Sequence, residues 1–294
     1  MRFAISMPNF GTGLDAGRVA DLAATAERAG WDALFLWDHT LAFVPGPVDL
    51  VDPWLSLAVA ATRTSRLRLG TAVTPLPRRR PVDVARQVVT LDRLSGGRVT
   101  LGVGIGAMPF EWEYSGEEPD LSVRGDMLDE ALDVVSRLWT AEPVRHEGTH
   151  YHLAGPDGWG ALHHPPPVQR PRVPVWVAGT WLGEGSTGGR PLRRAARWDG
   201  VMPMRLDFAW QPADTAGVAA VIERHRGTLD GFDVAVPGES DASTPGSVVR
   251  AHADAGATWW VEAVQPWRFG LTDTGPWPWR AMEQRIAAGP PGSG

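Results

Sequence analysis

LRLGTAVTPLPRRRPVDVARQVVTLDRLSGGRVTLGVGIG, residues 67–106, carries the pattern on which the fold turns. An apolar run ends in a turn, a segment of helical period follows, and a second apolar run ends in alternating glycines. This is the order and length of one strand–helix–strand unit with parallel strands. The first run closes on Gly70, Thr71 and Thr74 before Pro75 and Pro77, and the second on Gly102, Gly104 and Gly106. Both unusual ends fall at the carboxyl ends of parallel strands, where α/β folds bind their ligands.

The same rhythm extends in both directions. Strand-like runs begin near Phe3, Ala33, Leu67, Val99, Val175, Gly200, Phe232 and Thr258. Helix-period segments separate them. Val19, Leu22, Ala23, Ala26 and Ala29 recur at helical spacing after a start at Asp15 or Gly17, and Gly30 stops that helix. Met127, Leu128, Ala131, Leu132, Val135, Leu138 and Trp139 form a second strong stripe. Residues 43–53 read as a loop. The proline- and histidine-rich stretch 141–174 reads as an insertion, with a small hairpin around His150 to Leu153. Eight strands alternating with helices, with no linker or repeat, predict one (β/α)8 barrel domain over residues 1–294.

Composition removes several chemistries. The chain has 294 residues, a net charge of -6 and no cysteine, so disulfides, thiolate nucleophiles and cysteine metal sites are excluded. It also lacks lysine; all 28 basic residues are arginine, which excludes Schiff-base and pyridoxal chemistry. A mildly acidic balance with scattered arginines argues against a nucleic-acid partner. RFAISMP, residues 2–8, enters a strand directly with no basic-then-apolar leader, and no stretch reaches the ~18 apolar residues of a membrane span. No membrane partner and a cytoplasmic location are therefore expected.

In a barrel, the residues just past each strand line one mouth. Here they are Pro8 and Asn9, Trp37, Asp38 and His39, Val73 and Thr74, Gly104, Gly106 and Met108, Gly179 and Trp181, Pro203 and Met204, Pro237 and Glu239, and Gln265 and Trp267. They lack the carboxylate pair of a glycosidase and the histidine cage of a hydrolytic metal, so no metal is expected. An aromatic, polar-poor rim suits a flat conjugated ligand.

These residues resemble a family. The stretch 51–106 together with LFLWDHT (34–40), PVWVAG (174–179) and RPLRRAARWDGVMP (190–203) is similar to the luciferase-like flavin or F420-dependent oxidoreductases, the bacterial luciferase-like monooxygenases. The motifs fall in the family's order and spacing as far as Pro203; beyond it only the βα rhythm matches. The resemblance implies a (β/α)8 enzyme that binds coenzyme F420, or alternatively FMN, and acts on a small organic substrate. It implies a non-prolyl cis peptide at Ala72–Val73, with Val73 and Thr74 against the cofactor ring, Asn9 nearby, and Gly104 and Gly106 along the cofactor tail. It implies a phosphate site near Gly179, Thr180 and Arg190, with Arg193 and Arg194 close by. His39 becomes the residue that moves a proton and Trp37 its neighbour on the substrate wall. Asp38 reads as a supporting carboxylate or a helix cap.

One departure stands out. Where some F420 dehydrogenases of this family carry a proton-donating glutamate, this chain has Ala107, with Glu111 or Glu113 the nearest acids. Arg78, Arg79 and Arg80 form a run that reads as a solvated face, with contact to a cofactor tail as the other reading. The resemblance also implies a homodimer. If FMN is the cofactor, it implies a monooxygenase supplied by a separate flavin reductase. Ala107 leaves open a non-catalytic flavin-binding relative.

Overall fold

The computed structural model describes residues 1–292 apart from 45, 155–163, 184, 242 and 273–275. Eight parallel strands form the centre: β1 (Arg2–Met7), β2 (Ala33–Leu36), β3 (Arg68–Thr71), β4 (Val99–Gly104), β5 (Val175–Thr180), β6 (Gly200–Met204), β7 (Asp233–Gly238) and β8 (Trp259–Ala263). Each pairs with the next in parallel, and β8 pairs with β1 from Arg2↔Trp259 to Ser6↔Ala263, which closes the sheet on itself. The barrel expected from the strand–helix rhythm is the observed fold.

Alternation along each strand sorts the side chains. Ala4, Ala33, Phe35, Trp176, Ala235, Trp259 and Val261 fill the interior, with Ala72 and Met202 against them. Trp259 points inward while its neighbour Trp260 packs in the outer core, as adjacent positions on a strand must. The large rings fit because glycine faces them. A Cβ on Gly70 would stand 2.8 Å from the Phe35 ring, and one on Gly200 would stand 2.5 Å from Trp176.

Around the barrel run α1 (Ala16–Arg28), α2 (Pro53–Arg63), α3 (Pro81–Ser95), α4 (Pro109–Ser115), α5 (Leu121–Leu138), α6 (Gly189–Ala195), α7 (Pro212–Arg226), α8 (Gly246–Asp254) and α9 (Trp279–Ala287). Aspartates begin three of them: Asp15, Asp52 and Asp120 accept first-turn backbone N–H groups of α1, α2 and α5. This settles the start of α1 at Asp15 rather than Gly17.

One expectation is corrected. The expected 43–53 loop contains Asp49–Leu50, which pairs antiparallel with Phe10–Gly11. The strands β5 and β6 run as far as Thr180 and Met204, where the pairs Gly179↔Pro203 and Thr180↔Met204 satisfy the backbone. Helix α4 is an element to which the strand–helix rhythm assigns nothing. The expected hairpin is present as His146–Glu147 paired with His152–Leu153, held on α5 by Glu130, which accepts from His146 and from the His150 and Tyr151 N–H groups. Part of the 141–174 insertion, residues 155–163, lies outside the described residues. Among the described residues, no helix is long and apolar enough to cross a membrane.

Candidate active site at the barrel mouth

Phe35, Trp176 and Trp259 floor the carboxyl-terminal mouth. One step further along the strands stand Ser6, Trp37, Ala178, Pro237 and Ala263, all half-buried where the layer beneath is buried. Apart from Trp37 the side chains of this ring are small, and all are partly open to solvent. Trp37 forms one wall and donates its indole N–H to Ser6 Oγ at 3.0 Å.

The peptide between Ala72 and Val73 is cis. Val73 is half-buried and packs over Gly104, where a Cβ would stand 2.8 Å from Val73 Cγ2 and 3.4 Å from Ala178 Cβ. The two ends of the 67–106 unit therefore touch. Thr74, by contrast, is buried and donates to Asp38 Oδ2 at 2.8 Å. Asp38 is also gripped by Arg79, through Nε at 3.0 Å and Nη2 at 2.5 Å. It is a supporting carboxylate, not a helix cap.

His39 stands in the loop after β2, third past its end. Asn9 ties that loop to the end of β1: its amide accepts from His39 N–H and donates to the His39 and Val51 carbonyls. Asn9 is fully buried and fastens His39 in place. The imidazole Nδ1 lies 3.0 Å from Glu111 Oε2, 72 residues away in the chain.

Glu111 is the centre of this cluster. It is 1% exposed and accepts from Thr40 N–H at 2.7 Å, Thr40 Oγ1 at 3.1 Å and Leu41 N–H at 3.4 Å. Arg78 adds a charge at 3.3 Å. Burial alone would raise the carboxyl pKa, but the His39 hydrogen bond and charge, the Thr40 N–H and Arg78 outweigh it and hold it at about 2. An ionised Glu111 has no proton to give, so His39 Nδ1 must carry the hydrogen between them. That leaves Nε2 as the nitrogen free to exchange a proton with another molecule.

Helix α4 delivers Glu111. Pro109 stands at its start and Gly116, with φ 65°, closes it. Trp112 anchors it: the ring is 1% exposed and lies between the guanidinium groups of Arg78, 5.3 Å away, and Arg124, 4.0 Å away. Gly106, with φ 82°, lies so flat on Trp112 that a Cβ there would stand 2.3 Å from the ring. Arg124 donates to the Ile105 carbonyl at 3.1 Å, which pins the same loop.

The arginine run is neither a solvated face nor a free anion site. Arg78 is nearly buried and bridges Asp38 O, Thr40 and Glu111, Arg79 pairs with Asp38, and only Arg80 is exposed. Arg190 is turned onto α5, donating to Ser122 Oγ at 2.8 Å and pairing with Asp126, while Arg194 pairs with Asp129. Arg193 is exposed, Gly179 is buried and Thr180 half-buried on β5. Ala107 and Glu113 are exposed. Sequence reasoning left Glu111 undecided, missed Phe43, and singled out Arg78 without placing it beside Glu111. The signal for Glu111 was the Pro109–Gly116 bracket around an acid and a tryptophan.

An aromatic wall completes the mouth. Phe10, fully buried, stands edge-on to Trp37, Phe43, Trp267 and Trp277. The small, apolar lining of Ala72, Val73, Gly104 and Ala178 beside it fits a flat ring system, and the cradle at Gly104 has no room for a side chain.

The family profile described as luciferase-like monooxygenase matches residues 1–236. The chain is 41% identical over 133 residues to the 4-hydroxyprotoasukamycin monooxygenase of Streptomyces nodosus subsp. asukaensis, covering 45% of this chain and 34% of that protein. It is 34% identical over 179 residues to an F420-dependent glucose-6-phosphate dehydrogenase of Kineococcus radiotolerans, covering 59% of this chain and 50% of the relative. The chain thus spans half or less of the length of these two curated relatives. Its fold is similar to that of the coenzyme F420-dependent tetrahydromethanopterin reductase from Methanopyrus kandleri, with a TM-score of 0.72 and 18% identity over 98% of this chain and 96% of the other.

Proposed function

We propose, from the premise that this chain belongs to the luciferase-like monooxygenase family, that it is an oxidoreductase using a flavin-type cofactor, F420 in the first instance, on a small organic substrate beside His39. When bound, F420 supplies a partner for two-electron hydride transfer. Ala72, Val73 and Gly104 would hold its ring at the mouth, and Gly106 would border its tail. Gly179, Thr180 and the exposed Arg193 remain the proposed surroundings of its phosphate. Arg190 would first have to leave Asp126.

The observation that carries the reading is the His39–Glu111 pair beside the partly exposed strand ends at the barrel mouth. Interconverting an alcohol and a carbonyl moves a proton as well as a hydride, and His39 Nε2 is free to give or take it. Glu111 keeps the imidazole in one tautomer. Trp37 shields the exchange from water. Asn9 and Thr74 hold the loops that carry these groups.

A second reading, an FMN-dependent monooxygenase served by a separate reductase, is supported by the 41% identity to 4-hydroxyprotoasukamycin monooxygenase. The working form of the enzyme is a homodimer in the cytoplasm, which light scattering on the purified protein and cell fractionation would test. Titrating the protein with F420 and with FMN decides between the readings. F420 binding with turnover of the bound deazaflavin is expected. FMN binding with oxygen consumption would move the assignment to the monooxygenase, and failure of both cofactors to bind at micromolar concentration would sink it. Binding without turnover across a broad substrate screen would leave a non-catalytic flavin binder.

A further inference from the structure

We infer, resting on the oxidoreductase reading above, that the substrate is a flat, uncharged aromatic compound bearing an oxygen substituent, laid against Trp267 with that oxygen toward His39. The first ground is a buried cluster that the His39 chemistry does not use. Glu262, at the end of β8, is 0% exposed and accepts from Arg268 at 2.6 Å, Arg285 at 3.0 Å, Ser240 Oγ and the Trp260 indole, both at 2.8 Å. Arg268 also donates to the Ala263 and Ser240 carbonyls. Burying one carboxylate with two guanidinium groups carries a large desolvation cost. What this cluster fixes is the turn Pro266–Phe269, and that turn presents Trp267, 39% exposed. A large ring is thereby held rigid in solvent, the arrangement of a stacking platform.

The second ground is ring orientation. The planes of Trp267 and Phe43 differ by 11°, those of Trp267 and Trp37 by 15° and those of Trp37 and Phe43 by 7°, with centroids 5.4 to 6.3 Å apart. A flat ring laid on one of them lies parallel to the others. The His39 ring is 4.9 Å from Phe43 and 5.7 Å from Trp37, so the polar tip of such a ligand reaches the proton-exchanging nitrogen.

The third ground is charge. Arg78 and Arg79 beside His39 are committed to Glu111 and Asp38, and Arg205 past β6 is committed to Asp207 and Asp214. A phosphorylated substrate held by any of these three arginines would have to break one of these pairs. An uncharged aromatic breaks none.

Calorimetric titration with 2-naphthol, its saturated non-planar analogue 2-decalol and glucose 6-phosphate tests this, on the protein alone and on protein saturated with F420 or FMN. The expected result is 2-naphthol binding at least about fivefold tighter than 2-decalol, from stacking beyond buried area. Trp267→Phe should keep that preference. Trp267→Leu, which retains bulk on an exposed turn without a flat ring, should abolish it. Equal or tighter binding of 2-decalol, tighter binding of glucose 6-phosphate, or an unchanged preference in Trp267→Leu would overturn the inference. A cofactor that fails to bind, with the 2-naphthol preference intact, overturns the preceding functional reading and leaves this one standing.

Discussion

Glu111 and His39 meet across 72 residues of sequence, and each explains the other. A carboxylate at about 2 stays ionised through the neutral range, so the histidine beside it has one orientation and one exchangeable nitrogen. On any substrate that turns over, His39→Ala should lower kcat/KM by about 10² to 10⁴, the usual range for one acid–base group. Glu111→Gln should lower it by about 10 to 100-fold, as loss of an orienting partner does, with a shifted pH profile. The same carboxylate predicts a stability difference. Its pKa is lower folded than unfolded, so its contribution is complete above the unfolded value near 4.5 and is lost as pH falls toward 2. Urea titrations should find Glu111→Gln less stable than the parent at pH 7 by up to about 3 kcal/mol. The gap should narrow below pH 4.5, and a gap unchanged at pH 3.5 would refute this account. His39 was legible in the sequence because it ends a strand inside a motif. Glu111 was not, because only folding brings α4 back over β2. The same holds for Arg78, whose neighbours in sequence are exposed or bound elsewhere.

At the scale of elements, α4 is a seven-residue helix that could not persist alone. Trp112, two arginines and the flat approach of Gly106 hold it, so its stability is tertiary. Gly106→Ala combines a positive φ with a clash against Trp112 and should cost about 2 to 4 kcal/mol. Gly116→Ala meets no atom within 4 Å and should cost only about 1 kcal/mol. Thermal denaturation of the two variants separates them, and limited proteolysis of Gly106→Ala should cut first within 107–116. Equal melting temperatures would show that the Gly106–Trp112 contact contributes nothing. Helix α6 teaches the opposite lesson. Its arginines looked suited to a phosphate, yet Arg190 and Arg194 are met by Asp126 and Asp129 from α5, a stripe whose apolar face was easy to read and whose acidic face had no visible partner.

The whole molecule depends on closure of the barrel around a few large rings. Trp176 lies 5.2 Å from both Phe35 and Trp259 inside the barrel. Trp176→Ala should destabilise the protein by about 3 to 5 kcal/mol, since a rigid barrel collapses poorly around a cavity. Trp176→Phe should lose much less. Chemical denaturation measures both, and a loss under 1 kcal/mol for the alanine would mean that the plug is not load-sharing. Strand–helix alternation, the inward and outward tryptophans of β8, and the carboxyl-end mouth were all readable from residue order, because hydrophobic period and strand direction are local properties. So was the family, through motifs around Leu67–Gly106, and with it the cis peptide at Ala72–Val73. Tertiary structure alone decided which polar groups meet. It placed Glu111 behind His39, tied two of three adjacent arginines to carboxylates, and locked Trp267 over a cluster centred on Glu262. Charge pairing and ring stacking act over a few ångströms in space, and neighbours at that distance are assigned by the closed barrel rather than by the order of residues along the chain.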